Sequence, residues 1–110
     1  MGLNFSAYYE NDGHKMYVED SDIYITHNLT DMASEAWVYE VLWRPGEKDK
    51  LKNIKGTVDR AINEMREDPE RFKKHNPPNG FGTYESFLNA LIAIHSLCTL
   101  YPNAYIESDV

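Results

Sequence analysis

The sequence predicts an α+β fold in which a small antiparallel sheet packs against about three helices. Near the N-terminus, large apolar residues alternate with polar ones in short runs, which is the period of a half-buried strand. Further along, apolar residues recur at spacings of three and four, which is the period of a helix buried on one side. Strands followed by helices and one closing strand indicate helices gathered on one face of a sheet. With 110 residues, the chain is predicted to be a single domain, residues 1–110.

Two alternating runs, residues 3–9 and 14–19, flank a segment that contains Asn11-Asp12-Gly13. Aspartate and glycine tolerate the positive φ that a tight turn demands, so the two runs are predicted to form a β-hairpin. Residues 23–26 alternate again and are rich in β-branched and aromatic side chains, which predicts a third strand. Residues 104–107 are predicted to return as a short strand beside either the hairpin or the third strand.

The first helix is predicted to begin near Asn28 or Thr30, because either side chain can accept a hydrogen bond from a free backbone N–H group at a helix start. It is predicted to continue to about Trp43. Pro45 then ends it, because proline donates no backbone hydrogen bond and clashes with the preceding turn. The apolar residues of this helix cover more than one stripe, so it is either well buried or keeps an apolar face for contact.

Residues 51–65 have the clearest amphipathic pattern in the chain and predict the second helix. Glycine inside a helix costs about 1 kcal/mol relative to alanine, so Gly56 is expected to permit the close approach of another element. Thr83 is the predicted cap of the third helix, and Pro102 follows its end.

Acidic residues outnumber basic ones by 18 to 11, which gives a net charge of −7. Such a surplus opposes the approach of a phosphate backbone, so generic nucleic-acid binding is not predicted. An acidic surface suits solubility, or contact with a basic protein such as a nuclease. The chain shows neither a signal peptide nor an apolar run of about 18 residues. The predicted location is therefore the cytoplasm, without membrane association.

No catalytic or metal-binding pattern is present. The four histidines lack the spacing of three or four residues that aligns metal ligands on one helix face. The lone Cys98 excludes an intrachain disulfide, and no serine lies in a G-x-S-x-G context. The sequence therefore predicts no catalytic residue, metal or cofactor, and favours a binding protein over an enzyme.

The segment with the most unusual composition is residues 76–84, which hold two prolines, two glycines and two asparagines. In one interpretation, Phe81 and Tyr84 stack on the ring of a nucleotide-like ligand, while freed amides and the following helix start hold its phosphate. In the other, Asn76 and Asn79 satisfy the turn itself and Phe81 fills the core between helices. The second interpretation needs no ligand.

Three parts of the chain resemble a group of small uncharacterised proteins encoded in phages and prophages. They are residues 23–32, residues 68–72 together with 76–84, and residues 101–104, about half of the chain. That group commonly has tryptophan where this chain has Phe81, and its N-terminal part varies, so the hairpin is not supported by the match. The resemblance carries no established catalytic residue. It implies a small non-virion phage protein that acts in the cytoplasm of a bacterial host cell.

Two classes of function are compatible with that context. In the first, the protein acts in counter-defence by sequestering a nucleotide-like immune signal between the strand-to-helix junction and the 76–84 segment, in a homo-oligomer that closes the pocket. The predicted ligand-binding residues are Asn28, Thr30, Asn76, Asn79, Phe81 and Tyr84.

In the alternative, the protein inhibits a bacterial defence complex by direct contact, as anti-CRISPR proteins do, through an acidic or aromatic surface. The predicted partner-binding residues are Trp37, Tyr39 and Trp43, because aromatic side chains are the usual anchors of protein interfaces. Ligand capture is favoured, since the most unusual residues form turns or carry rings. A housekeeping role in phage replication is a further possibility.

Overall fold

The structure, a computed structural model, describes residues 2–110 and confirms the α+β prediction. A 3₁₀ turn, His27–Leu29, joins the third strand to the first helix. In chain order the strands and helices are β1 (Gly2–Asn11), β2 (His14–Tyr17), β3 (Ile23–Thr26), α1 (Thr30–Glu35), α2 (Tyr39–Trp43), α3 (Leu51–Glu67), α4 (Pro69–Lys73), α5 (Tyr84–Leu100) and β4 (Tyr105–Asp109).

Strand β1 is the centre of the sheet and pairs antiparallel with each of the other three strands. Tyr8 pairs with a residue of β2 and with a residue of β4, and Phe5 pairs with a residue of β3 and with one of β4. Because a strand has only two edges, β4 occupies one edge of β1 while β2 and β3 share the other. The predicted hairpin is therefore confirmed, and the closing strand lies beside it.

Residues 18–22 connect β2 to β3 along one edge of β1, and a hydroxyl group pairs with the backbone of β1 there. The buried Ser21 Oγ accepts a hydrogen bond from the Ala7 N–H at 3.2 Å and donates one to the Ala7 carbonyl at 3.3 Å. The Val18 N–H also donates to that carbonyl, at 2.9 Å. An unpaired backbone N–H or carbonyl group is costly when buried, and Ser21 pairs with those of Ala7. The same edge of β1 can therefore pair with β2 and, further along, with β3.

The two faces of the sheet differ in chemistry, as the alternation of a strand requires. On β1 the side chains of Leu3, Phe5 and Ala7 are fully buried among the helices. On the opposite face, Tyr8 is only 6% exposed. Its ring is covered by Tyr17 and Tyr105, with ring centroids 6.0 and 5.5 Å away. Tyrosines therefore shield the solvent face of the central strand.

The predicted first helix is two short helices, α1 and α2, which a tight turn separates. The Val38 N–H donates to the Ala33 carbonyl at 3.0 Å, and the Trp37 N–H donates to the Ser34 carbonyl at 3.1 Å. These two bonds define a Schellman motif, in which the residue after the helix adopts positive φ. That residue is Trp37, with φ of 59°. Glycine usually occupies this position, so a tryptophan there gives no sign of a helix end in the sequence.

The other two predicted helices are confirmed as α3 and α5, which pack against each other. The Thr83 hydroxyl accepts from the Ser86 N–H, so Thr83 caps α5 as predicted. The expectation for Gly56 is wrong, because a Cβ built there meets no atom within 4 Å. Its position on α3 is exposed, and no neighbouring element approaches it.

Replacing Gly56 with alanine is therefore expected to stabilise the fold. Alanine loses less backbone freedom in a helix, so the free energy of unfolding of Gly56→Ala should rise by about 1 kcal/mol in urea denaturation. Gly13→Ala is the matched control, because Gly13 also faces open space but has φ of 79° in the hairpin turn. That variant should lose stability, and a loss in Gly56→Ala as well would contradict the geometry around α3.

Candidate ligand-binding site

Two neighbouring grooves lie between the β3–α1 junction and the segment of residues 76–84, here called the 76–84 loop. The aromatic groove has a volume of about 480 Å³, and the polar groove has a volume of about 440 Å³. Asn28 lines both of them. The aromatic groove is lined mainly by Tyr24, Thr26, Leu29, Phe81, Ser86 and Ala90. The polar groove is lined mainly by His27, Thr30, Lys74, His75, Asn76 and Asn79, with Asp31 at its side.

The structure brings five of the six predicted ligand-binding residues together at these grooves. Phe81 lines the aromatic groove, and the predicted polar residues line the polar groove. Tyr84 requires a correction, because its side chain is only 6% exposed and its hydroxyl donates to the Met65 carbonyl at 2.6 Å. Tyr84 thus fastens α5 to α3 in the core and is not available to a ligand.

Both asparagines of the 76–84 loop stabilise the turn. The Asn76 Oδ1 accepts from the Tyr84 N–H at 2.8 Å, and the Asn79 Oδ1 accepts from the Phe81 N–H at 2.9 Å. This agrees with the interpretation in which the asparagines satisfy the loop. The same interpretation is wrong for Phe81, whose side chain is 69% exposed instead of filling the core. The loop therefore holds an aromatic ring out towards solvent.

Three backbone amides at the start of α5, those of Thr83, Tyr84 and Ser86, are already paired within the chain. The Thr83 N–H donates to Ser86 Oγ at 2.8 Å, and the Ser86 N–H donates back to Thr83 Oγ1 at 3.0 Å. The next amide, that of Tyr84, is taken by Asn76. A helix start binds anions through unpaired N–H groups, so this capping leaves few of them at α5 for the expected phosphate.

Gly82 holds the 76–84 loop against the strand-to-helix junction. Its φ is 97°, and a Cβ built on it lies 2.8 Å from Thr26 Cγ2 and 2.9 Å from Leu29 Cγ. Only glycine fits this backbone conformation and this distance. Gly80 also has positive φ, 77°, but faces open space. The 76–84 loop forms one wall of the aromatic groove, and its position thus depends on Gly82.

Glu35, at the end of α1, holds the basic side chains at the polar groove. Its carboxylate lies 3.0 Å from His75 Nε2, 3.6 Å from Lys74 Nζ and 3.3 Å from Arg71 Nε. The hydrogen bond from His75 lowers the pKa of Glu35, and the charges of Lys74 and Arg71 lower it further. The Glu35 side chain is itself partly exposed. The basic partners of Glu35 reach it through the packing of α4 against α1, which the sequence does not show.

The three predicted partner-binding residues occupy different environments. Trp37 is 75% exposed. Tyr39 is half-buried and stacks on Trp43, with ring centroids 5.4 Å apart and planes 11° from parallel. Trp43 is only 6% exposed and its Nε1 lies 3.4 Å from His27 Nδ1. Trp43 is thus corrected to a core residue, which leaves Trp37 and the edge of Tyr39 available to a partner.

Tyr24 was not among the predicted site residues, although it is 57% exposed and lines the aromatic groove. It lies on the solvent face of β3, where the cross-strand neighbour on β1 is Asn4. An aromatic residue at a polar-face position of a strand is the signal that could have identified it.

No known protein family, curated protein or solved structure matches this chain. These comparisons leave the resemblance to phage proteins untested. Within residues 2–110, no helix is both long and apolar enough to cross a lipid bilayer. Across the same described range, histidine, cysteine and acidic side chains nowhere gather in a group of three that could hold a metal ion.

The contact made by Gly82 can be tested with the matched pair Gly82→Ala and Gly80→Ala. Both variants place alanine at positive φ, but only Gly82→Ala forces a Cβ into Thr26 and Leu29. Overpacking of this kind costs about 1–3 kcal/mol, so Gly82→Ala should lose that much more unfolding free energy than Gly80→Ala. Equal losses in chemical denaturation would show that the loop does not seat on the junction.

The ion pairs of Glu35 predict a specific pH dependence. The folded-state pKa of Glu35 lies below the ordinary value for glutamate, so its contribution to stability is present above that ordinary value and is lost as the pH falls through the lowered one. Glu35→Gln should therefore be less stable than the unmodified protein at pH 6, with the difference shrinking below about pH 4. Glu67→Gln, on an exposed position of α3, is the control. A difference that is constant with pH would contradict the network.

Proposed function

We propose that the protein binds a small nucleotide-like ligand, with a planar ring in the aromatic groove and a polar or anionic part in the polar groove. The observation that carries this proposal is the pair of exposed aromatic residues lining one groove, Tyr24 at 57% and Phe81 at 69% exposure. Stacking of a nucleic-acid base on an aromatic side chain is worth about 1–3 kcal/mol. Exposed rings beside a groove are therefore suited to a flat ligand.

The dimensions and the lining of the grooves support this proposal. Each groove has a volume within the roughly 300–1,000 Å³ that small-molecule sites occupy. The aromatic groove has an apolar floor at Leu29 and Ala90, together with the hydroxyl of Ser86. An apolar pocket with a few polar groups is the usual form of a site that orients a small molecule.

The polar groove supplies the groups that an anionic part requires. Lys74 and His75 line it and share their polar contacts with the Glu35 carboxylate, and the amide side chains of Asn76 and Asn79 line it as well. The oxygen atoms of both amides are used by the loop backbone, which leaves their N–H₂ groups as donors. Asp31 lies at the same groove and repels excess negative charge. The arrangement favours a ligand of low charge over a polyanion, in keeping with the net charge of −7.

The resemblance to phage proteins implies that the protein acts inside an infected bacterium. In that context, binding of such a ligand would serve counter-defence. The protein would remove a nucleotide-like immune signal from the cytoplasm of the infected bacterium, and no cofactor is needed for sequestration. Both grooves lie at the surface, so a second copy of the chain placed over them would shield the ligand from water and slow its release.

A second candidate function is inhibition of a host defence protein by direct contact. The observation that favours it is Trp37, which is 75% exposed in a backbone conformation that tryptophan rarely adopts. Exposed tryptophan is among the commonest anchors of protein interfaces. The two candidates place binding at different residues, so variants distinguish them.

Native mass spectrometry of the protein purified from bacteria with an active nucleotide-signalling defence system tests the first candidate. We expect a reproducible small-molecule adduct that is lost in Tyr24→Ala and in Phe81→Ala. Leu100→Ala should keep the adduct, because Leu100 is an equally exposed apolar residue at the far end of α5. The measured mass identifies the ligand, and the assembly mass gives the number of copies.

Retention of the adduct in both groove variants would rule out the aromatic groove. A bound host protein in place of an adduct, lost in Trp37→Gly but kept in Phe81→Ala, would favour the second candidate.

A further inference from the structure

A third concave site lies where α1 ends and α2 begins, and it has a different chemistry from the two grooves. This crevice has a volume of about 190 Å³ and is lined by Ser34, Trp37, Tyr39 and Glu40. Two aromatic rings and a carboxylate are the groups that recognise an organic cation. We propose that the crevice binds the guanidinium group of an arginine that a partner protein presents. The proposal deepens the second candidate function, on which it rests, and is independent of ligand capture in the grooves.

The backbone at Trp37 shows that the fold itself does not need a large side chain there. Its φ of 59° is the left-handed conformation that ends α1 in the Schellman motif. For residues other than glycine this conformation is unfavourable. The ring offsets little of this cost through packing, because the residue is 75% exposed. Glycine would serve the turn better, so we attribute the tryptophan to an interaction outside the chain.

Tyr39 gives the crevice a fixed wall. Its ring stacks on that of Trp43 at 5.4 Å, and Trp43 is itself buried in the core. A wall held by the core loses little conformational freedom when a partner binds, which favours affinity. The crevice therefore combines one mobile, exposed ring with one ring whose position is already set.

The charge of the crevice selects a cation. The faces of aromatic rings carry partial negative charge, and the exposed Glu40 adds a full one. Arg60 Nη2 lies 3.5 Å from the Ala36 carbonyl and 3.4 Å from the Trp37 carbonyl, and Arg60 also pairs with Glu64 at 3.2 Å, so the charge of Arg60 is balanced within the chain. The remaining acidic group nearby on α1, Glu35, is paired with basic residues.

Arginine fits these features better than lysine. Its planar guanidinium stacks on an aromatic face and at the same time donates two parallel hydrogen bonds to a carboxylate such as that of Glu40. The crevice is less than half the volume of either groove, which suits one side chain better than a whole nucleotide. The net charge of −7 favours the approach of a basic partner surface over an acidic one.

The test compares two short peptides that differ only in one charge, one with a central arginine and one with citrulline, its neutral isostere. Binding is measured by isothermal titration calorimetry, which applies equally to every variant. In the unmodified protein, the NMR signal of the exposed Trp37 indole N–H also reports where the peptide binds. We expect the arginine peptide to bind about tenfold more tightly than the citrulline peptide, and its affinity to fall with added salt.

Two variants of the crevice and one control complete the experiment. Trp37→Gly should abolish the difference between the peptides and leave the midpoint of thermal unfolding unchanged or higher, because glycine suits the turn. Glu40→Gln leaves the turn intact and should weaken only the arginine peptide. Phe81→Ala, in the aromatic groove, should bind both peptides as the unmodified protein does.

Equal affinity for the two peptides, or an unchanged preference for arginine in Trp37→Gly, would overturn the assignment. A marked loss of stability in Trp37→Gly would overturn its premise that the ring is dispensable to the fold. None of these outcomes bears on ligand capture, whose variants lie in the grooves.

Discussion

The structure depends on the pairing of one long strand with three partners. Strand β1 forms antiparallel ladders along both of its edges, and each of the other strands reaches the sheet only through it. Ser21 makes this possible, because its hydroxyl pairs with Ala7 where β2 has ended and β3 has not begun. The helices then pack on the face formed by Leu3, Phe5 and Ala7. Loss of β1 would leave the sheet without any ladder.

Local signals in the sequence were sufficient for most of the fold. Asp12 and Gly13 marked the hairpin turn, and both have positive φ in the structure. Apolar residues at helical spacing located α3, and Thr83 located the start of α5. These features depend on neighbours within a few residues, so sequence patterns report them directly. The sequence does not indicate the helix end at Trp37. The residue there adopts the left-handed conformation, which glycine usually occupies and which tryptophan normally avoids.

The site was predictable in outline and not in detail. Residue types indicated that the 76–84 loop would meet the junction after β3, and the grooves lie there. Which tyrosine faces solvent could not be read from composition: Tyr84 is buried under α3, whereas Tyr24 lines the aromatic groove. The ion pairs of Glu35 and the contact of Gly82 with Thr26 likewise depend on elements distant in the chain. Such long-range packing has no local signature.

The pairing of β1 with β4 has a consequence for how the chain folds during synthesis. Residues Tyr8 and Tyr105 are directly opposite each other across the ladder, although nearly the whole chain lies between them. The hairpin can form as soon as it leaves the ribosome, but the other edge of β1 stays open until β4 emerges. An open strand edge is a template for pairing with another chain. A newly made chain is thus most prone to misassociate before β4 emerges, and the pairing of β4 with β1 closes that interval.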